Sequence, residues 1–365
     1  MTTARWLPLD AATVRDEIAG RSVARSYGDP QGEYASLREG ALLVDRSARH
    51  RLELRGAKAR ELLTGLVTND ILALEPGQGC YAAALTPKGK LVADLRVYMP
   101  EPDLLLIDAP VRAADGWMQV VRKYVNPRLA AYTDVSGTTR QVGIYGARSR
   151  EIVAAAARLD AAHLDELPMY SNLPTGTGII VARVPDLRLD GFELYGPGEQ
   201  LSAIWNQAVE FGATPGGLDA FEIARIEAGY PEWGLDMDDT TIPQEANLEE
   251  AHAISFTKGC YTGQEVVARV HFRGHVNRHL RALASVGGEP IPSGAELLDD
   301  TGKVVGDVRS TALSPRLGAI AIGMVRREVK PGDTLVIRGA ASSGRVEVSH
   351  LPHPRTGEAP DIGRR

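Results

Sequence analysis

At 365 residues the chain exceeds one ordinary domain, and its 44% hydrophobic, 24% charged composition excludes disorder over most of its length. Its two cysteines, Cys80 and Cys260, exclude a disulfide framework and a four-thiolate cluster held by one chain, and a net charge of -6 speaks against a general nucleic-acid binder. No run reaches the roughly 18 apolar residues that cross a bilayer, and the first ten residues lack the pattern of a secretory signal, so a cytoplasmic protein with no membrane contact is expected.

In chain order, Arg51 to Arg55 alternate as a strand, and Ala59, Leu62, Leu63 and Leu66 then fall on one face of a helix. Cys80 to Leu85 and Leu91 to Tyr98 flank Thr-Pro-Lys-Gly, a hairpin turn sequence, and Asp103 to Ile107 forms a further short strand. Trp117, Val120, Val121 and Tyr124 mark a helix before Leu129 to Asp134 returns as a strand. This order approaches β-α-β-β-α-β, the ferredoxin-like plan. A looser version recurs with a strand at Val142 to Tyr145, a helix at Ser149 to Leu159, and strands at Ile179 to Val184 and Phe192 to Tyr195. Two helices follow, one with Leu201, Ile204, Trp205, Ala208 and Val209 on one face, the other from about Leu218 to Ala228. After Arg278 the texture changes to short β-like runs at Leu280 to Val286, Val304 to Ser310, Ala319 to Val325 and Thr334 to Arg338, which read as a small all-β barrel or sandwich. Residues 351–365 read as a flexible tail.

Cys260 is the residue with the most chemistry around it. Lys258 brings a positive charge, and Thr262-x-x-Glu265 has the form of a capping box that would start a helix beside the thiol. Both features favour a thiolate, hence a nucleophilic or metal-seeking cysteine; an inert buried cysteine is what the residue type alone offers. Strand alternation puts Asp94 and Arg96 on one face, either as reactive groups or as a surface ion pair. Arg269, Arg273, Arg278 and Arg281, with three histidines and no acid between 266 and 281, form a segment able to receive an anion. Contact with RNA or an acidic protein is the less favoured use of it, and a solvated face the plainest. His271, His275 and His279 recur every four residues, but Gly274 interrupts the helix they would need and no Cys or Asp completes a zinc spacing, so no metal is expected.

Lys258-Gly259-Cys260-Tyr261-Thr262-Gly263-Gln264-Glu265 resembles the signature of the YgfZ family, folate-binding relatives of the glycine-cleavage T-protein that assist iron-sulfur proteins. Ile242-Pro243-Gln244-Glu245, Asn247-Leu248, Val267-Ala268-Arg269 and Arg273-Gly274 extend the resemblance, and Val44-Asp45-Arg46-Ser47, Thr68-Asn69-Asp70 and Arg225-Ile226-Glu227-Ala228-Gly229 are similar to the wider T-protein superfamily. The resemblance implies an α+β, three-domain T-protein-like arrangement, with two ferredoxin-like α+β units around a central folate opening and a C-terminal small β-barrel. Its implied boundaries are 1–48 with 141–252 for a first, folate-binding domain, 49–140 for a second, 253–278 for the signature segment and 279–350 for the barrel. Tetrahydrofolate or a derivative is the implied cofactor, and iron-sulfur client or assembly proteins are the implied partners. Cys260, Asp94 and Lys258 are the implied reactive residues. Glu193, in Gly191-Phe192-Glu193-Leu194-Tyr195, would bind the pterin ring, because a carboxylate accepts two hydrogen bonds from the ring amino group and its neighbouring N–H. Tyr81, Tyr98 and Arg225 would form its walls and rim. Where T-proteins typically read Asp-Asp-Leu, this chain reads Ala93-Asp94-Leu95, a departure that sets aminomethyl transfer behind an accessory role as the alternative activity.

Overall fold

A computed structural model describes residues 6–339 and 344–354. The chain divides into two compact units, the first built from 1–85, 92–221 and 253–262, the second from 86–91, 222–252 and 263–365.

Helix α1 (Leu7–Ala11), the hairpin β1 (Val14–Ile18) and β2 (Arg21–Ser26), α2 (Pro30–Glu39), β3 (Ala41–Asp45), β4 (His50–Arg55) and α3 (Ala59–Thr64) come first. Next are β5 (Gly79–Leu85), β6 (Leu91–Glu101), β7 (Leu104–Ala109), α4 (Ala114–Tyr124), β8 (Ala131–Asp134), β9 (Thr139–Tyr145), α5 (Ser149–Ala157) and α6 (Ala161–Asp165). β10 (Asn172–Pro174), β11 (Ile180–Arg183), β12 (Gly191–Pro197), α7 (Gly198–Glu210), β13 (Ala213–Gly216) and α8 (Leu218–Ala228) complete the run.

Two sheets organise the first unit, a five-stranded one ordered β5-β6-β7-β4-β8 and a six-stranded one ordered β10-β11-β12-β9-β3-β13. The first has one strand more than the ferredoxin-like plan, with β5 on its edge. In the second, β3 arrives from far upstream and sits between β9, antiparallel to it, and β13, parallel to it. Every residue of β3 is buried, so its sequence, Ala-Leu-Leu-Val-Asp, shows no alternation to betray a strand. Val142 and Ile144 of β9 and Phe192 and Leu194 of β12 join α5 and α7 side chains, including Ile152, Val153, Leu201, Ile204 and Trp205, in one apolar core. By alternation, Gln141, Tyr145, Glu193 and Tyr195 face the other way, and that second face carries the polar chemistry.

The second unit contains α9 (Gln264–Arg273) and the strands β14 (Arg278–Ser285), β15 (Glu296–Leu298), β16 (Val304–Ser314), β17 (Gly318–Arg326), β18 (Thr334–Arg338) and β19 (Arg345–Ser349). These close into a six-stranded barrel, β14-β17-β16-β15-β18-β19, filled by Leu283, Leu297, Val308, Ala321, Ile337 and Val348 among others. Among the described residues no helix is long and apolar enough to cross a membrane.

The chain after 350 is described as far as Pro354, and there it is packed: His353 is buried, its Nε2 lies 3.1 Å from the Ala321 carbonyl, and its backbone N–H donates to Glu227 O. Residues 355–365 lie outside the described residues. Burial lowers the His353 imidazole from 6.5 to about 4. The unfolded chain takes up this proton as pH falls through 6.5, the folded chain only near 4, so the contact is at full strength above 6.5 and loses on the order of 3 kcal/mol by pH 4. Relative to its intrinsic rate, hydrogen exchange at the His353 amide is therefore expected to rise between pH 7 and pH 5, an excess over the intrinsic pH effect. A His353→Gln chain should show no such excess, and an equal excess in both would refute the assignment.

Candidate functional site

The two sheets of the first unit share a buried polar layer, and its densest part comes from the chain crossings between them. Residues 46–49 connect β3 of one sheet to β4 of the other, and residues 135–138 connect β8 back to β9. Arg51, fully buried on β4, ties both crossings together by donating to the carbonyls of Ser47, Arg49, Ser136 and Thr139. Burial lowers its guanidinium to about 10.

Arg46 and Arg49 project from the first crossing into the layer. Arg49 Nε donates to both oxygens of Asp108, at 2.9 Å each. Arg46 lies over the Phe221 ring, 4.1 Å from its centroid, with its Nε 3.5 Å from Glu193 Oε1. From β6 comes Arg96, whose Nη1 donates to Glu193 Oε2 at 2.8 Å and whose Nη2 donates to Asp186 Oδ2 at 2.6 Å. Arg96 Nη1 also lies 3.6 Å from Asp108 Oδ2.

Glu193 is the hub, with no exposed surface. Its Oε2 accepts from Arg96, from Gln141 Nε2 at 2.6 Å and from the Tyr195 hydroxyl at 2.8 Å, while its Oε1 accepts from the Tyr145 hydroxyl at 2.7 Å. Burial alone would raise its carboxyl, but Arg96, then Arg46 and Arg49, and the Tyr145 hydrogen bond outweigh it and hold the group ionised, well below the usual carboxylate range. Asp186, equally buried, moves the other way: burial and the Glu193 charge raise it against the pull of Arg96. The Tyr145 hydroxyl reaches Glu193 because position 143 is glycine. A Cβ there would stand 2.3 Å from that hydroxyl oxygen.

Asp94 lies on the same strand as Arg96 and is buried, which removes the surface ion pair as its explanation. Its Oδ2 accepts from the Tyr81 hydroxyl at 3.0 Å, and the Tyr81 ring stacks on Tyr170 with centroids 5.7 Å apart. Tyr98 packs against Tyr195 at 5.6 Å in a cluster with Leu106, Val135 and Ala182. Asp94, Tyr81, Tyr98 and Glu193 therefore all belong to the buried interior of one unit. Arg225 does not join them. It belongs to the second unit, where its five N–H groups are committed to Glu222, Asp236, the Tyr230 carbonyl and Ser310.

The signature segment is stitched to residues 64–69. Lys258 Nζ donates to the carbonyls of Thr64, Val67 and Asn69, using all three ammonium protons. Thr68 Oγ1 donates to Ala253 O at 2.6 Å and accepts from Ala83 N, while Asn69 Nδ2 donates to Tyr81 O. Thr68 and Asn69 thus join the segment to β5. The expected activation of Cys260 needs correcting in two respects. Lys258 is buried and turned inward, towards Asp70 and Cys80, whereas Cys260 is exposed. The helix α9 does form, but its N-cap is Gly263, at φ 83° and with no side-chain cap hydrogen bond. Thr262 stands one residue too early to close a capping box. Burial pushes the Cys80 thiol up to about 12 and the Lys258 ammonium down to about 8. Of the three histidines, His271 ends its reach on Glu249 Oε1 at 2.6 Å, and α9 stops at Arg273, so His275 and His279 share no helix face with it.

Sequence reasoning missed Arg46, Arg49, Asp108, Gln141, Tyr145, Asp186 and Tyr195 as parts of the layer. The available signal was three arginines within six residues, 46, 49 and 51, in a stretch otherwise flanked by apolar strands.

Taken together, the chain is a mixed α+β protein with two sheets about a buried ionic layer, joined in sequence to a closed six-stranded barrel. Residues 16–258 match the GCVT N-terminal domain, and the chain belongs to that family. Among curated proteins, it is 28% identical over 363 residues to an aminomethyltransferase of Bordetella petrii, covering 94% of this chain and 93% of the relative. An aminomethyltransferase of Thermotoga neapolitana is 29% identical over 329 residues, 88% of each chain. The fold is similar to that of the glycine cleavage system aminomethyltransferase T from Bartonella henselae, with a TM-score of 0.84 and 21% identity over 95% of this chain and 96% of that one.

Proposed function

We propose that this chain binds tetrahydrofolate through the polar layer of its first unit and serves as an accessory protein for iron-sulfur enzymes, with Cys260 as its reactive thiol. The observation that carries the folate half is the ionised, fully buried Glu193, surrounded by hydroxyl and amide donors that can rearrange. Burying several ion pairs where apolar side chains would pack as well is a poor route to stability, and such layers are disproportionately found at functional sites. Among the described residues Asp186 Oδ1 is a buried acceptor with no hydrogen-bond partner, so the layer has room for one further N–H when a donor-rich pterin edge enters. Glu193 would accept from that edge, Tyr81 and Tyr98 would supply aromatic surface, and Asp94, oriented by Tyr81, would hold or accept a proton. Tetrahydrofolate supplies the nitrogens that carry a one-carbon unit.

The thiol half rests on the resemblance of residues 258 to 265 to the YgfZ signature and on the exposure of Cys260 beside a lysine that pins the segment. One exposed cysteine supports transient contact with a client, not a permanent cluster. In cells lacking the protein, a Cys260→Ser chain is expected to leave cluster-dependent enzymes at the activity of the deletion, with folate binding intact. Full rescue would remove the thiol from the reading.

A second reading, folate-dependent aminomethyl transfer, is favoured by the names of the relatives, which match over most of both chains, and by the Tyr81–Asp94 hydrogen bond, which places one carboxylate on the polar face. Ala93, on the opposite strand face by alternation, supplies no second acid. Purified protein with tetrahydrofolate and an aminomethyl donor separates the two: turnover lost in Asp94→Asn supports transfer, and binding without turnover supports the accessory role.

A further inference from the structure

The carboxylate that would anchor the pterin is closed by an arginine, and the structure also contains the means to open it. Glu193 Oε2 accepts from three donors, Arg96, Gln141 and Tyr195, at 2.6 to 2.8 Å. Arg96 is the donor with somewhere else to go. Its Nη2 is already on Asp186 Oδ2, and Asp186 Oδ1, in a side chain almost wholly buried, has no hydrogen-bond partner among the described residues. Asp108, the other acid near Arg96, offers no such place, because Arg49 Nε bridges both of its oxygens.

We propose that Asp186 is a release residue for the anchor: on ligand entry the Arg96 guanidinium turns from bridging two carboxylates to a two-pronged pair with Asp186 alone, freeing Glu193 Oε2 for a ligand N–H. The proposal rests on the folate reading and specifies the ligand edge, a planar pair of adjacent N–H donors such as a 2-aminopyrimidinone, which replaces one arginine N–H on Oε2. The exchange conserves hydrogen bonds. Arg96 loses one to Glu193 and gains one to Asp186 Oδ1, and the cost of a buried unpaired acceptor disappears in the bound state. Asp186 acts through Arg96 and is a positioning residue. It lies in the 184–190 connection between β11 and β12, so the release device and the anchor are neighbours in sequence.

Competition for one guanidinium predicts effects of opposite sign, which a structural role does not. Titration calorimetry of the full chain with tetrahydrofolate would compare wild type, Asp186→Asn, Arg96→Met and the double variant, with Glu193→Gln as the non-binding control. Asp186→Asn removes the second carboxylate oxygen that a two-pronged pair with Arg96 needs, so binding should weaken about tenfold or more, as expected when the competent state becomes rarer. Arg96→Met removes the competitor, so binding should equal or exceed wild type, and adding Asp186→Asn to it should change nothing. Should Arg96→Met fail to fold, Arg96→Gln takes its place, with the same expected insensitivity to Asp186→Asn. Unchanged binding in Asp186→Asn, with wild type binding and Glu193→Gln not, would overturn the release role and leave the folate reading standing. Parallel losses in the Asp186 and Arg96 variants would also overturn it, and absence of binding by wild type would overturn both.

Discussion

A Glu193→Ala chain is expected to lose tetrahydrofolate binding and to be less stable by about 3–5 kcal/mol, the usual consequence of removing one partner from a buried ionic group. The loss is large because the carboxylate serves several groups at once. Without it, the Tyr145 and Tyr195 hydroxyls and the Gln141 amide lose a shared acceptor in a buried space, and Arg46 Nε loses the carboxylate 3.5 Å away. Glu193→Gln separates the two effects. The amide preserves shape and one carbonyl acceptor, so urea unfolding should show a smaller loss. Its NH2 group, however, would face the donors of a pterin edge, and binding should fall at least about a hundredfold, on the order of 3 kcal/mol. Calorimetric binding close to wild type in Glu193→Gln would sink the anchor assignment, whatever the stability data show.

How much of this was legible in the sequence depends on which side chains signal locally. Elements with one polar face announced themselves: α8 begins and ends at the residues its periodicity marks, and β6, β9, β12 and the barrel strands β14, β16, β17 and β18 lie where alternation and turn residues put them. β3 and β13 were silent because a strand buried on both faces, or one with Pro215 and Gly216 within four residues, lacks that alternation. Glu193 and Asp94 are singled out by resemblance and strand parity. Their partners are not, because Arg96 meets Glu193 across 97 positions and Asp186 across 90, and a pairing between sheets leaves no trace in local spacing. Lys258 shows the converse error. Two residues from Cys260 in sequence, it reads as the activator of that thiol, yet its three protons answer to carbonyls 189 to 194 positions upstream. Proximity in sequence gave the right neighbourhood and the wrong direction.

Arg225 follows the same logic and carries the other large expected effect. Resemblance placed it at the rim of a ligand opening, whereas its Nη1 donates to Asp236 at 2.7 Å and to Tyr230 O, and its Nε and Nη2 grip Glu222 while Nη2 also holds Ser310 Oγ at 2.9 Å. A guanidinium has five N–H donors, and these contacts use all of them. Asp236, with no exposed surface, depends on that arginine for its compensating charge; its remaining donors are the backbone N–H groups of Glu232 and Ser310. Arg225→Met is therefore expected to destabilise the chain by about 3–5 kcal/mol by stranding a buried carboxylate. Arg225→Lys should recover only part of this, because an ammonium cannot fork onto Glu222 and still reach Asp236 and Ser310. Pairing Arg225→Met with Asp236→Asn removes the stranded charge, and the double variant should be more stable than the sum of the single losses by about 1–3 kcal/mol. Urea unfolding of the four chains measures that coupling directly. Strict additivity would mean that α8 and β16 are held together by packing, and that Arg225 is free to serve a ligand after all.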